Sequence, residues 1–269
     1  MGNMVFPMKT RRLAAVVAAP LLALALTACG GGGGGTTESG AQLVSDGTLT
    51  VCSDVPYPPF EDFDKGSPTG FKGFDIDIVS EIAKGMGLKL VVKDSAFDPL
   101  QSGLALNSGQ CDIGASAMTI TPDREQNLDF SDGYYDSKQS LLVPTGSDIK
   151  SIDDLSGKKV GVQQGTTGKT YAEENATGAD LVTFPSDAEM YQAIKAGQVD
   201  ALLQDLPVNL NHQQAGGFEI VETYSTNEQY GLAMKKGNTA LVDDVNAQLN
   251  KMHDNGTYDE LYSKYFATK

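Results

Sequence analysis

From about Ser45 onward, short apolar runs alternate with stretches of helical periodicity. Leu49 to Ser53 reads as a buried strand. Phe74, Ile78, Val79, Ile82, Ala83 and Met86 then recur at the spacing of one helix face, and Leu88 to Val92 reads as a second strand. This is a βαβ pattern. A helix around Leu100 to Leu106 and a strand at Cys111 to Ala117 extend it, and crossovers of this length imply parallel strands. The pattern restarts after Ser151. Strands are predicted at Lys159 to Val162, Leu181 to Phe184 and Val199 to Leu203, with helices at Thr167 to Glu174 and Ala188 to Ala196 between them. The segments Lys138 to Pro144 and Gln229 to Met234 are extended and β-prone, and helical patterns return at Asn238 to His253 and Tyr258 to Phe266. Two similar α/β lobes are expected.

Composition supports a folded chain and narrows its partners. In 269 residues, 40% hydrophobic and 20% charged, there is enough apolar material for one large or two medium domains. Lys9, Arg11 and Arg12 precede an apolar run from Leu13 to Leu26 that is too short for a comfortable membrane span, the pattern of an export leader. Leu26-Thr27-Ala28-Cys29 resembles the lipobox of bacterial lipoproteins, with Cys29 as the lipidated residue. Residues 1–28 are therefore expected to be a signal peptide, and 29–46 the lipidated Cys with a tether containing the Gly30–Gly35 run. Losing the leader removes three basic residues and no acid, taking the formal charge from −15 to −18. Such a charge repels nucleic acid, which is not an expected partner. Cys52 and Cys111 remain, an even count in an oxidising location and a candidate disulfide.

Several positions could carry chemistry. Gly165-Thr166-Thr167-Gly168 passes from a strand end to a helix start, where exposed N–H groups and the helix dipole suit an anion such as a carboxylate. The segment is not a P-loop, because Gln163 occupies the place of its first glycine. Thr121 is a plausible N-cap with Pro122 at the first helical position, aiming Arg124 near the end of the preceding strand. Asp54 and Asp205 end predicted strands, one in each lobe, so two carboxylates can face each other across a cleft. Tyr57 and Phe97 suit either the core or a ligand platform. His212 and His253 read as surface residues, Asp62 and Asp64 as solvated loop charges. No metal site, cofactor or catalytic residue is expected.

Taken together, Val51-Cys-Ser-Asp54-Val-Pro-Tyr57-Pro-Pro-Phe60-Glu61, Gly73-Phe-Asp75-Ile-Asp77, Ser116-Ala-Met-Thr119-Ile-Thr121-Pro-Asp-Arg124, Phe130-Ser-Asp-Gly-Tyr-Tyr135 and Gly256-Thr-Tyr258 resemble the amino-acid-binding extracytoplasmic proteins of ABC importers, solute-binding family 3. The resemblance runs from about Leu43 to the end. It implies a periplasmic binding protein of type II, two doubly wound lobes joined by two hinge strands. Lobe 1 would span 47–136 plus 233–269, and lobe 2 137–232 with the hinge strands. Within the family, Gln204-Asp205-Leu-Pro207, Asn227-Glu-Gln-Tyr230-Gly and Asn255-Gly-Thr-Tyr258 look most like the glutamine-binding and lysine/arginine/ornithine-binding branches.

The resemblance also implies roles. Arg124 would pair with the ligand α-carboxylate, helped by the N–H groups of Thr119 and Thr167, and Asp205 would take the α-ammonium with the Ala117 carbonyl and the Thr119 hydroxyl. Tyr57 and Phe97 would sandwich the aliphatic part of the side chain, while Asp54, Ser116, Gln163 and Thr166 line the end that selects it. Gln163 and Gln204 stand where some glutamine binders place Lys and His, and Asp54 has no matched cation, so acidic ligands are disfavoured. The expected ligand is glutamine or a basic amino acid, and an exported dehydratase-like enzyme on the same scaffold is the alternative. Expected partners are a free L-amino acid, an ABC permease, and the outer face of the cytoplasmic membrane through the lipid on Cys29; a monomer is expected. The family also places the strands carrying Cys52 and Cys111 side by side.

Overall fold

The computed structural model describes residues 1–2 and 34–267, so the expected leader and Cys29 lie outside the described residues. Two five-stranded sheets organise the chain. In the first, Lys89–Asp94, Thr48–Ser53 and Ile113–Gly114 run parallel, and Ala233–Lys235 and Leu128–Phe130 complete the sheet with antiparallel pairings. In the second, Asp180–Phe184, Lys159–Gln163 and Ala201–Asp205 run parallel and are flanked by the antiparallel strands Tyr135–Pro144 and Phe218–Tyr230.

Alternating side chains cover both faces of the second sheet, as the two-residue period of a strand requires. Ala201 and Leu203 join Val160, Val162 and Ala172 in one buried cluster, whereas Leu202 joins Met190 and Ile194 in another. In the first lobe, Leu49 and Val51 pack with Ile78, Val79 and Ile82 of helix Phe74–Gly85 and with Leu241, Val245 and Leu249 of helix Thr239–Asp254. The chain therefore returns to its first lobe after completing the second.

Strands Tyr135–Pro144 and Phe218–Tyr230 carry the chain between the lobes and pair with each other. The first crossover was expected at Lys138 to Pro144. The second was expected at Gln229 to Met234, but begins at Phe218 and ends at Tyr230. Its alternation is masked in sequence by register shifts between Ile220 and Glu222 and between Tyr224 and Glu228, the second containing Asn227 at φ 55°.

Three further expectations change. The helix around Leu100 to Leu106 is two short helices, Phe97–Gln101 and Leu104–Asn107, separated at Gly103 with φ 82°. The strand Cys111 to Ala117 shortens to Ile113–Gly114, and Ala117 beyond it takes a left-handed conformation at φ 44°. The folded body also starts before Gly47. Ala41 and Leu43 are buried in the first-lobe core, and Gly35–Thr36 pairs with Gln42–Leu43, so the later part of the expected tether is packed. Cys52 and Cys111 are disulfide-bonded with Cα atoms 5.8 Å apart. Among the described residues, no helix is long and apolar enough to cross a membrane.

Candidate functional site

The carboxyl ends of the parallel strands converge between the lobes, where open α/β sheets place their ligands. Arg124 is delivered there by the short helix Pro122–Glu125, with Pro122 in its first turn and the Thr121 hydroxyl accepting from the Arg124 N–H at 3.2 Å. Its guanidinium is buried, donating from Nη1 to the Thr119 carbonyl (2.6 Å) and from Nη2 across the cleft to the Gly165 carbonyl (2.9 Å). It also lies 5.3 Å from the Phe97 ring centroid. Both hydrogen-bond partners are neutral. Among the described residues, no carboxylate lies within ion-pair distance of Arg124. Burial draws its pKa down to about 10, opposed by Asp205 and Glu228, so the group stays charged at neutral pH. With donors to spare, it is a buried cation suited to a carboxylate.

Asp205 ends strand Ala201–Asp205 and stands at the N-cap position of helix Leu206–Ala215 without capping it. Its carboxylate instead accepts from the Tyr57 hydroxyl (2.9 Å) across the cleft and from Gln139 Nε2 (2.6 Å). Opposite Arg124's anchor, Gly165 at φ 79° turns the chain into helix Thr167–Asn175, which Thr166 caps by accepting from the Lys169 N–H at 3.1 Å. Gly168 lets this helix start lie close against strand Ala201–Asp205, since a Cβ there would meet Gln139 Oε1 at 2.8 Å and the Leu203 carbonyl at 3.2 Å. At the other end of the cavity, Gln163 Nε2 donates to Asp54 Oδ2 at 2.6 Å, again across the cleft.

The structure brings every candidate ligand residue to one place. Asp54, Tyr57, Phe97, Ser116, Ala117, Thr119, Arg124, Gln163, Thr166, Thr167 and Asp205 line a single cavity.

A supporting layer of acids carried no assigned role in the sequence reading. Glu61 Oε1 accepts from the Ser116 hydroxyl (2.5 Å), whose oxygen in turn accepts from the Asp54 N–H (3.0 Å). Asp75 accepts from the Ala117 N–H (2.8 Å) and the Tyr134 hydroxyl (2.8 Å), holding the left-handed residue whose carbonyl was expected to meet the ligand. Gln139 and Glu228 sit on the hinge strands and join the Asp205 network. The available signal was the occurrence of Glu61, Asp75 and Glu228 inside the quoted motifs, each within two residues of a buried aromatic residue, Phe60, Phe74 and Tyr230. His212 also differs from expectation. It is buried in the second lobe, bonded through Nε2 to Asp187 (2.9 Å) and stacked on Tyr191, whereas His253 is exposed.

Burial raises the pKa values of Asp54, Asp75 and Asp205 to about 7; Asp94 and Asp187 add to the effect at Asp54, and Glu228 at Asp205. Each carboxyl in the unfolded chain has its ordinary value near 3.8. The folded state thus holds protons that the unfolded state releases between these values. Their contribution is fully present below the unfolded pKa and is lost as pH rises through about 7. The ligand-free protein is expected to gain about 1–2 kcal/mol per carboxyl between pH 8 and pH 5.5. Urea unfolding at the two pH values checks this, and equal or lower stability at pH 5.5 would contradict the assignment.

Comparison with known proteins identifies the scaffold. The signature of the bacterial extracellular solute-binding proteins, family 3, matches residues 49–268. The chain belongs to that family. A probable histidine-binding protein of Neisseria gonorrhoeae is 36% identical over 254 residues, covering 91% of this chain and 92% of the relative. The ABC transporter glutamine-binding protein GlnH of Bacillus subtilis is 39% identical, covering 72% of each chain. An ancestral arginine-binding protein bound to arginine superposes with a TM-score of 0.77 at 39% identity, covering 82% of this chain and 99% of that one. An ancestral amino-acid-binding protein described as a precursor of cyclohexadienyl dehydratase has a TM-score of 0.74 at 39% identity, covering 82% and 95%. This family of extracytoplasmic binding proteins accounts for the two-lobed α/β architecture seen here.

Proposed function

We propose that this family member captures one free amino acid between its lobes and delivers it to an ABC permease, with glutamine or a basic amino acid as ligand. The observation that carries the reading is the placement of a buried guanidinium, Arg124, and a buried carboxyl, Asp205, on the lining of one cavity. A zwitterion matches both charges at once. Arg124 takes the α-carboxylate beside the N–H groups of Thr119 and Thr167, and Asp205 takes the α-ammonium. Because the two charges come from opposite lobes, ligand favours the closed arrangement by bonding to both. The lipobox at Cys29 supports attachment to the outer face of the cytoplasmic membrane.

Asp54 governs the selecting end. Its charged neighbours there, Asp94 and Asp187, are acids, and its bonded partner Gln163 is neutral. A cationic side chain relieves that unfavourable burial and an anionic one deepens it. Asp54→Asn keeps the shape and removes the charge, so affinity for arginine should fall by about 1.5–3 kcal/mol and that for glutamine by less. Titration of both proteins with arginine, glutamine and glutamate in one low-salt buffer tests this. Tightest binding of glutamate by the wild type would refute the role of Asp54.

A second reading, an exported enzyme, draws on the dehydratase precursor and on the carboxyls of Asp54 and Asp205 at about 7, a value suited to general acids. Recovery of the bound amino acid unchanged after prolonged incubation separates the two.

A further inference from the structure

Glu228 lies on the second hinge strand, buried, at the point where the pairing with the first hinge strand slips: Tyr224 faces Gln139, Glu228 faces Ser137, and the intervening residues bulge through Asn227. The bulge turns the Glu228 carboxylate toward the cleft. There a single oxygen, Oε2, accepts from the hydroxyl of Thr119 in the first lobe and from that of Thr167 in the second, each at 2.9 Å. Gln139 Nε2 contacts both Glu228 oxygens at 3.1 and 3.2 Å while bonding Asp205. No cation pairs with Glu228 among the described residues.

We infer that Glu228 is a positioning residue for the α-ammonium of the ligand and ties both lobes to the hinge when the cleft closes. The inference rests on the amino-acid reading above. A hydroxyl has one proton, and Thr119 and Thr167 both spend theirs on Glu228. Their remaining lone pairs make both hydroxyls acceptors toward the cavity, which suits an ammonium and not a second donor-seeking group. Through Gln139, the same carboxylate is linked to Asp205, so the hinge strands hold the acceptor set together. Thr119 bridges Tyr230 at the end of the second hinge strand and Thr167 opens helix Thr167–Asn175 of the second lobe, so one Glu228 oxygen joins residues of both lobes.

The test compares an amino acid with the same molecule lacking its α-amino group. Wild type, Glu228→Gln and Thr119→Val are titrated with L-arginine and 5-guanidinopentanoic acid, and with L-glutamine and glutaramic acid; thermal melts verify folding. Glu228→Gln should weaken the bound amino acid about 10- to 100-fold while leaving its desamino analogue within about twofold. Thr119→Val should show the same selectivity, and the double variant should lose less than the two losses combined. Equal weakening of both molecules, which a structural role would give, or no weakening at all, overturns the assignment while the amino-acid reading stands. A wild type that binds neither amino acid overturns that reading and the assignment with it.

Discussion

Replacing Arg124 by alanine is expected to lower amino-acid affinity by about two to four decades while the fold persists. Removing one member of a desolvated charge pair costs about 3–5 kcal/mol, because the ligand carboxylate would be buried with no counter-charge. The Thr119 and Thr167 N–H groups remain but supply only neutral donors. Stability should change little, since the ligand-free fold loses two hydrogen bonds, to the Thr119 and Gly165 carbonyls, and is also relieved of a buried cation. Arg124→Lys should fall between wild type and alanine, retaining charge and losing the planar fork. Calorimetric titration with thermal melts checks both parts. Wild-type-like affinity in the alanine variant would remove Arg124 from the site.

Replacing Cys52 and Cys111 together by alanine is expected to destabilise the protein by about 4 kcal/mol. The bond closes a sequence separation of 59 residues, and in the chain-entropy account a loop of that length constrains the unfolded state by roughly this amount. The bonded pair also packs with Phe97, Leu100 and Met118, so its loss loosens the wall that carries one aromatic platform of the cavity. Urea unfolding of the wild type and the double variant measures the difference, and mass spectrometry without reduction counts the thiols. Two free thiols in the exported wild type, or a difference below about 1 kcal/mol, would contradict this.

Sequence periodicity located the elements whose apolar faces are continuous, such as helix Phe74–Gly85 and strand Lys159–Gln163, because burial imposes the pattern directly. It failed where geometry breaks periodicity. Bulges interrupt alternation along the second hinge strand, and the apolar run after Cys111 continues past the short strand Ile113–Gly114 to Ala117, which Asp75 holds left-handed. At the cavity, residues at strand ends and helix starts were legible: Arg124 follows a Thr-Pro cap, and Gly165 precedes a capped helix. The carboxylates behind them were not assigned. Glu61, Asp75 and Glu228 act on neighbours remote in the chain, 55, 42 and 109 residues away, and only the folded arrangement reveals those partners. His212 was misplaced for the same reason, since Asp187 and Tyr191 lie on another helix.

A cleft in which Arg124 and Asp205 together hold one zwitterion should accept free amino acids with neutral-polar or cationic side chains. Isothermal titration of ligand-free wild type against the twenty common amino acids, ornithine, citrulline and cystine tests it most directly. One-to-one binding led by glutamine or a basic amino acid, with glutamate and aspartate silent, is expected. Absence of binding by every free amino acid, or a preference for glutamate, would contradict it.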